Sequence, residues 1–377
     1  MRVLPLIFAV TLIGFTSVNA SRLVLQLFAL ELGASPTEVG ILVALFYVFP
    51  LLLSLPAGTW GDRYGPRRPL LFSAVCGIVG LVIPYFVHTM PALYLAGALS
   101  GMSFAFFLVL VQNLVGVLST PGNRAQNFAN FSLFGAVANF VGPLVAGFPI
   151  DHFGYPIACL VAASLALITG IIILTWGKLL PGGSRRTAPR VRIADTLADP
   201  AVLRILAMGS LVQLGTDLFQ FYIPVYGVGI GLSASAIGTL LATFAAASFV
   251  VRFGLGRLIN IWGEYKLMAY SFYLAAIGFA LVPLFHNVVL LAMVSFIFGL
   301  GTGCGQPIAT MLMFSRAADG RSGEALGLRL TVNNLVRVIA PAVFGVIVSG
   351  FGLAPVFYIN AVMMGAGGYV SRAKSHP

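Results

Sequence analysis

The chain has 377 residues, of which 59% are hydrophobic and only 8% are charged. A soluble protein carries about 25% charged residues, so this chain cannot present a water-exposed surface over most of its area. The net charge is +11, but the basic residues stand in twos and threes between apolar runs, which argues against a nucleic-acid partner. Composition therefore predicts a polytopic membrane protein whose main surroundings are the lipid bilayer.

Twelve apolar runs follow one another along the chain, and each is long enough to cross a bilayer as a helix. They cover residues 3–30, 37–57, 69–89, 91–117, 125–149, 155–177, 203–227, 234–255, 267–286, 288–314, 325–349 and 355–371. We therefore predict an all-α fold of twelve transmembrane helices in two pseudo-symmetric six-helix bundles, at residues 1–177 and 201–377. The stretch 178–200 is rich in Gly, Pro and Arg and is predicted to be a cytoplasmic linker.

The positions of lysine and arginine predict the orientation of these spans. Arg63, Arg124, Lys178 and most other basic residues fall on the side of the N-terminus, whereas the opposite connections contain acidic residues and histidines but no Lys or Arg. By the positive-inside rule, both termini lie in the cytoplasm of a protein in the cell's inner membrane. A signal peptide cleaved after Ala20 is the alternative, but the apolar pattern continues through Leu23–Leu30.

An offset of 198 residues aligns the two halves without a gap. The same offset matches residues in loops, at helix ends and inside helices. The matched pairs are Gly33 with Gly231, Ser35 with Ser233, Gly40 with Gly238, Gly58 with Gly256, Gly65 with Gly263, His88 with His286, Gly101 with Gly299, Pro143 with Pro341, Gly147 with Gly345, and Phe153-Gly154 with Phe351-Gly352. Such internal symmetry is typical of transporters, whose substrate sites lie near the bilayer midplane between the repeats.

The connection between the second and third spans reads Gly58-Thr-Trp-Gly-Asp62-Arg63-Tyr-Gly65-Pro-Arg67-Arg68. We expect a cytoplasmic loop in which Gly58 lets a neighbouring helix approach and Gly65 permits a tight turn. Arg67 and Arg68 keep this loop at the anionic surface of the membrane. This motif resembles the Gly-x-x-x-Asp-Arg-x-Gly-x-Arg signature of the major facilitator superfamily. The spans, the two halves and the central linker extend the resemblance over nearly the whole chain, although the second half has Asn260 and Ile261 at the Asp-Arg positions.

The resemblance implies a secondary transporter that works by alternating access. It assigns a gate motif to Gly58, Asp62, Arg63, Gly65 and Arg67, in which Asp62 helps to lock the cytoplasmic gate against the eleventh helix in one of two states. The alternative is that the positive charges of the loop only fix the topology.

The fifth span contains Gly142-Pro143-Leu144-Val145-Ala146-Gly147, which in part resembles the Gly-Pro-x-x-Gly-Gly motif of exporters in that family and slightly favours export. From the residues alone, Pro143 bends the helix and the small residues allow close packing, so a purely structural interpretation stays open. The fourth-span arginine associated with proton-coupled drug export in the family would stand at Gly97. Its absence counts against proton antiport.

Polar side chains recur at helical spacing inside several spans, so each set shares one face of its helix. A charge that faces lipid in mid-membrane costs at least ~2.5 kcal/mol, so these groups must face water, substrate or one another. We predict a substrate-binding site from nine residues: Asn19, Arg22 and Gln26 in the first span, Gln213, Asp217 and Gln220 in the seventh, Gln306 in the tenth, and Asn333 and Arg337 in the eleventh. Arg329, nearer the cytoplasmic end of its span, is interpreted as structural or interfacial.

Arg22 and Arg337 can hold an anionic group, because a planar guanidinium binds a carboxylate or a phosphate through two hydrogen bonds. The alternative is a structural network in which Asp217 pairs with an arginine and the remaining arginines donate to carbonyl groups or water. Asp217 is the carboxylate that the sequence places inside the membrane. It can carry a coupling proton only if it does not touch an arginine in every state.

We therefore predict an inner-membrane secondary transporter that exports a small anionic or amphiphilic organic solute as a monomer. The main alternative is a proton-coupled multidrug efflux antiporter in which some of the 30 phenylalanines line an apolar pocket. A minor alternative is a membrane receptor or assembly subunit that does not transport. No enzyme, cofactor or metal is expected, because no nucleophile has a base nearby and Cys76, Cys159 and Cys304 lack the spacing of a metal site.

Overall fold

The computed structural model describes residues 3–120, 124–180, 200–316 and 322–372. Those residues are helical almost throughout and include no strand, which confirms the predicted all-α class. The first half forms α1 (Val3–Glu31), α2 (Pro36–Tyr64), α3 (Arg67–Phe86), α4 (Met90–Val117), α5 (Arg124–Phe153) and α6 (Tyr155–Trp176), followed by a 3-10 turn at Gly177–Leu179. The second half forms α7 (Pro200–Gly229), α8 (Ala234–Phe253), α9 (Leu255–Trp262), α10 (Glu264–Leu281), a 3-10 turn at Val282–Leu284, α11 (Val288–Arg316), α12 (Ser322–Phe351) and α13 (Ala354–Arg372).

Eleven of the described helices are long and apolar enough to cross a membrane. The last helix, α13, has 19 residues, which is sufficient to span, but it is less apolar than the other eleven. With α13, the described residues contain twelve helices of spanning length, the number predicted. Phe86, Phe253 and Phe351 are 74%, 77% and 79% exposed, as expected of side chains that lipid covers.

The internal repeat is visible in the backbone. Six glycines of the described residues have a positive φ, and they form three pairs that are 198 residues apart. The pairs are Gly33 (+79°) with Gly231 (+77°), Gly65 (+81°) with Gly263 (+74°), and Gly154 (+84°) with Gly352 (+82°). Glycine adopts this conformation without steric cost. The three matched pairs show that the same helix connections recur in both halves.

Helix packing follows the same register. A Cβ atom on Gly101 of α4 would lie 2.7 Å from the carbonyl oxygen of Leu45 in α2, and a Cβ atom on Gly299 of α11 would lie 2.4 Å from the carbonyl oxygen of Phe244 in α8. Both distances are shorter than a methyl group tolerates. Equivalent glycines therefore allow equivalent pairs of helices to approach in the two halves.

The motif after the second span is not a loop, and the sequence-based expectation was wrong on this point. Helix α2 continues to Tyr64, so Gly65 and Pro66 alone connect it to α3. The extra turns are stabilised by the ring of Trp60, which lies 5.5 Å from the rings of both Phe72 and Phe106. Gly65 does make the predicted tight turn.

The equivalent helix of the second half is interrupted. Gly254 separates α8 from α9, and it occupies the position equivalent to Pro56 of the continuous α2. The predicted eighth span, 234–255, therefore ends at Phe253, and α9 follows as a separate helix.

The described residues form two compact units. One contains the residues up to 180 together with Gly227–Ala242, and the other contains residues 200–226 and 243–372. The predicted division into 1–177, a linker at 178–200 and 201–377 stays a prediction, because residues 181–199 lie outside the described part of the chain.

A carboxylate holds the start of α8 within the first unit. Asp151, near the end of α5, accepts hydrogen bonds from the backbone N–H groups of Ala234 (2.9 Å) and Ser235 (2.8 Å). The first N–H groups of a helix have no partner inside it, and a carboxylate there satisfies them and complements the helix dipole.

Candidate functional site

In the second unit, a buried ion pair joins the middle of α7 to the middle of α12. The Nε atom of Arg337 donates to Oδ2 of Asp217 at 2.9 Å. Gln213, one helical turn before Asp217, donates to the same oxygen at 2.8 Å. The side chain of Asp217 is 7% exposed and that of Arg337 is 24% exposed. Three of the nine predicted site residues are therefore in direct contact, and Asp217 is paired with an arginine as in the alternative interpretation, the structural network.

The first unit has a neutral pair at the equivalent positions. The amide nitrogen of Asn19 in α1 donates to Oδ1 of Asn139 in α5 at 2.9 Å. Asn19 lies 198 residues before Asp217, and Asn139 lies 198 residues before Arg337. Sequence reasoning missed Asn139 because a single asparagine in an apolar span gives no charge signal. The repeat offset applied to Arg337 would have found it.

A second polar contact of the second unit lies two helical turns before Arg337 on α12. Arg329 is 8% exposed and donates from one terminal nitrogen to Oε1 of Gln306 in α11 at 2.7 Å. The amide nitrogen of Gln306 donates to the carbonyl oxygen of Gly209 in α7 at 3.0 Å. This contact thus brings the predicted Gln306 together with Arg329, which the sequence placed nearer the membrane surface.

Asn333 lies between the two arginines on α12. It is buried and accepts a hydrogen bond from the hydroxyl of Ser210 in α7 at 3.2 Å. Gln220, on the other side of Asp217 along α7, is partly buried. The polar stripe predicted on α12 is therefore directed toward α7 along two helical turns.

The first unit is apolar where the second unit has Arg329 and Gln306. The residues 198 positions earlier are Phe131 and Leu108. The ring of Phe15 lies 5.9 Å from the ring of Phe131, 5.3 Å from that of Phe107 and 6.4 Å from that of Phe104. An aromatic cluster of Phe15, Phe104, Phe107 and Phe131 thus occupies this level of the first unit.

Arg22 lies in the first unit, three residues after Asn19 on α1. Its guanidinium carbon is 5.2 Å from the centre of the Tyr47 ring in α2, a cation–π distance. Gln26, one turn further along, is 2% exposed. The predicted stripe of Asn19, Arg22 and Gln26 therefore faces protein rather than lipid.

The gate motif makes local contacts that hold the end of α2 and the start of α3. Arg63 lies over the ring of Tyr64, at 5.3 Å from its centre. Arg67 donates to the carbonyl oxygen of Leu174 at 2.9 Å, near the end of α6, where a cation complements the helix dipole. The side chain of Asp62 lies outside the part of the structure that is described, so its predicted gate contact stays a prediction.

The glycine that brings α2 against α4 is Gly61 rather than Gly58. A Cβ atom on Gly61 would lie 2.4 Å from Cδ2 of Leu110, whereas one on Gly58 would have its nearest neighbour at 3.7 Å, in Val109. An alanine would therefore fit at position 58. The expectation that Gly58 provides the close approach was wrong by one helical turn.

Close packing accounts for the fifth-span motif. A Cβ atom on Gly142 would lie 2.5 Å from Cβ of Asn19, and one on Gly147 would lie 2.4 Å from the carbonyl oxygen of Ala234. The carbonyl oxygen of Pro143 would lie 2.5 Å from a Cβ atom on Gly238. These contacts support the structural interpretation of the motif, and its resemblance to exporters is not needed to explain it.

Membrane-length helices in two repeats, with a buried ion pair in the middle of two of them, are typical of a polytopic membrane transporter. No group of three metal-binding side chains occurs in the described ranges. The family model of the Major Facilitator Superfamily matches residues 6–341. The chain belongs to this superfamily, and the protein is a transporter rather than an enzyme.

Relatives at low identity cover nearly the same length. Multidrug resistance protein 1 of Bacillus subtilis is 25% identical over 84% of this chain and 82% of that protein. Quinolone resistance protein NorA of Staphylococcus aureus is 22% identical over 94% of this chain and 92% of that protein. The crystal structure of a POT family transporter in complex with 5-aminolevulinic acid matches with a TM-score of 0.83 at 13% identity, covering 98% of this chain and 95% of that chain, which shows the shared fold.

Proposed function

We propose that this protein exports a small organic solute of anionic or amphiphilic character by alternating access. The observation that carries the proposal is the charge balance inside the helices. More than six residues from either end of a described helix there are three arginines, Arg22, Arg329 and Arg337, and one carboxylate, Asp217. Since guanidinium groups do not lose their proton in proteins, the excess positive charge favours an anionic ligand.

Arg22 is the first candidate for binding the anionic group of the solute. Its planar group can stack on Tyr47 and still direct N–H donors toward a carboxylate or phosphate. Arg337 is the second candidate, but it reaches a substrate only when its pair with Asp217 opens. The uncharged members of the proposed site, Asn19, Gln26, Gln213, Gln220, Gln306 and Asn333, supply hydrogen-bond donors and acceptors around these charges.

Export rather than import is supported by the relatives. Two of them carry names that state resistance, to multiple drugs in one case and to quinolones in the other. The names describe those proteins, and the low identity leaves the direction for this chain as our proposal. Placement in the inner membrane with both termini in the cytoplasm rests on the distribution of basic residues, and action as a monomer is proposed with it.

The second candidate function is proton-coupled multidrug efflux. The names of the relatives favour it, and the cluster of Phe15, Phe104, Phe107 and Phe131 offers aromatic surface of the kind that lipophilic drugs contact. In this function Asp217 would be the proton carrier. The Oδ2 atom of Asp217 already accepts from Arg337 and Gln213, so a proton on that atom would require the pair to open during the cycle.

A matched set of three probes tests the proposal. The purified protein would be titrated with 1-naphthoate, 1-naphthamide and 1-naphthylmethylammonium, which share one ring system and differ in charge, while its thermal unfolding is monitored. We expect 1-naphthoate to raise the unfolding temperature most, because binding to the folded state stabilises it. The Arg22→Gln variant should lose this shift, and Arg257→Gln, which removes an exposed arginine of α9, should keep it.

The opposite ranking would overturn the proposal. Stabilisation by the ammonium probe alone would favour multidrug efflux, and equal shifts from all three probes would show that the ring rather than the charge is recognised.

A further inference from the structure

Arg329 is the most deeply buried of the three mid-helix arginines, and its described surroundings contain no counter-charge. It is 8% exposed, and no carboxylate of the described residues lies within ion-pair distance of it. Its Nε atom is buried and has no hydrogen-bond partner among the described residues. The one described hydrogen bond of the group goes to the neutral Gln306 at 2.7 Å.

The repeat shows that the fold does not need an arginine at this position. The equivalent residue of the first unit is Phe131, and its ring packs in the aromatic cluster at 5.9 Å from Phe15. Burial of a guanidinium without a counter-charge is strongly unfavourable, whereas burial of a phenylalanine at the equivalent position is not. Packing within the described residues therefore does not explain why an arginine stands at position 329. A ligand whose negative charge compensates the guanidinium would explain it.

The guanidinium is held in one orientation by its neighbours. The amide of Gln306 is fixed by its hydrogen bond to the carbonyl oxygen of Gly209 at 3.0 Å, which turns Oε1 toward Arg329. Arg329 lies beside Gly209, since a Cβ atom on that glycine would be 3.9 Å from the terminal nitrogen, an ordinary van der Waals distance. A donor that is positioned in advance loses less conformational freedom when it binds a ligand.

We propose that Arg329, oriented by Gln306, is the residue that selects a carboxylate on the transported solute. The inference rests on the proposed function: Arg22 stays its first binding group, and Arg329 is added as the contact of the second unit that selects the carboxylate. Asp217 and Arg337 neutralise each other, so Arg329 leaves the mid-helix groups of the second unit with one positive charge. One positive charge matches a monoanionic carboxylate, which can accept from two N–H groups of one guanidinium together. Arg337, which is already paired, is not the selecting residue.

Binding of the matched naphthyl probes to full-length Arg329 variants in detergent tests this assignment. The Arg329→Gln variant should lose at least about tenfold in affinity for 1-naphthoate, because a hydrogen bond to a charged group is removed. Binding of 1-naphthamide should change little. Arg329→Lys keeps the charge without the planar fork, so it should fall between wild type and Arg329→Gln. Arg257→Gln is the matched control and should bind 1-naphthoate as wild type does.

The failures are distinguishable. If wild type does not bind 1-naphthoate, or binds the ammonium probe instead, the proposed function and this assignment both fail. If wild type binds 1-naphthoate and Arg329→Gln binds it equally well, only the assignment to Arg329 fails. If Arg329→Gln does not fold, the Arg329→Lys variant decides, because wild-type affinity in that variant would exclude a role of the fork.

Discussion

The two halves of the chain place the same two positions in contact and fill them with different side chains. In the first unit Asn19 and Asn139 share a hydrogen bond of 2.9 Å, and in the second unit Asp217 and Arg337 form an ion pair at the same distance. In both halves the partners are 120 residues apart. The helical frame therefore brings these positions together whether or not they are charged.

The two halves also differ at the positions of Arg329 and Gln306. The second unit has Arg329 and Gln306 where the first has Phe131 and Leu108. Because one frame accepts both sets, the charged set is not required by the fold. We attribute it to transport, and the following predictions test that separation of fold from function.

The largest effect is expected from breaking the ion pair on one side. Arg337→Asn leaves the buried carboxylate of Asp217 without its counter-charge, which should cost about 3 kcal/mol of unfolding free energy. The double variant Asp217→Asn with Arg337→Asn should recover most of this loss, because the first unit shows that two asparagines pair in this geometry. Unfolding of four proteins in detergent (wild type, Asp217→Asn, Arg337→Asn and the double variant), compared as a double-mutant cycle, measures both terms.

The control for this cycle is Asn139→Ala, which removes the neutral equivalent of Arg337 and should cost only about 1 kcal/mol. A double variant that loses as much stability as the sum of its two single changes would mean that the two side chains are not coupled, which would contradict the prediction.

A smaller effect is expected at the glycines where helices cross. Gly101→Ala and Gly299→Ala each place a methyl group 2.4–2.7 Å from a backbone oxygen, which should cost about 2 kcal/mol at each site. Similar losses in the two variants are the expected result, because the crossings are equivalent. Gly365→Ala, where no atom lies within 4 Å of the added Cβ, should be neutral or stabilising. A clear difference between Gly101→Ala and Gly299→Ala would show that the repeat does not extend to these contacts.

The smallest effect is expected at the turns that the two halves share. Gly33 and Gly231 have φ of +79° and +77°, and no atom lies within 4 Å of an added Cβ at either one. Alanine should therefore cost about 1 kcal/mol at each, from backbone strain alone. Gly229→Ala is the control, since it has the same open surroundings without the positive φ. Thermal unfolding should rank the two turn variants together and below Gly229→Ala, and the reverse order would remove the turn argument.

The fold could be predicted from the sequence because its signals are local. Apolar length marks each span, and the turns recur at Gly33, Gly65 and Gly154 with their partners 198 residues later. The extension of α2 to Tyr64 was missed, because the Gly-rich motif was interpreted as a loop and the packing of Trp60 on Phe106 cannot be foreseen.

The site could be predicted only as a set of candidates. Helical spacing identified Asp217 and Arg337, but the choice of Arg337 over Arg22 or Arg329 as the partner of Asp217 depends on how α7 and α12 pack. The contact of Arg329 with Gln306 was missed for a related reason. Arg329 stands near the cytoplasmic end of the predicted span, and its burial comes from neighbouring helices.

Transport in proteoliposomes tests most directly whether the charged set serves function rather than fold. Uptake of 1-naphthoate would be compared between wild type and the Asp217→Asn, Arg337→Asn double variant, reconstituted in equal amounts. We predict that the double variant unfolds within a few degrees of wild type and transports at least about tenfold more slowly, because Arg337 can no longer contact the solute when the pair with Asp217 opens during the cycle. Transport by the double variant at the wild-type rate would contradict the account.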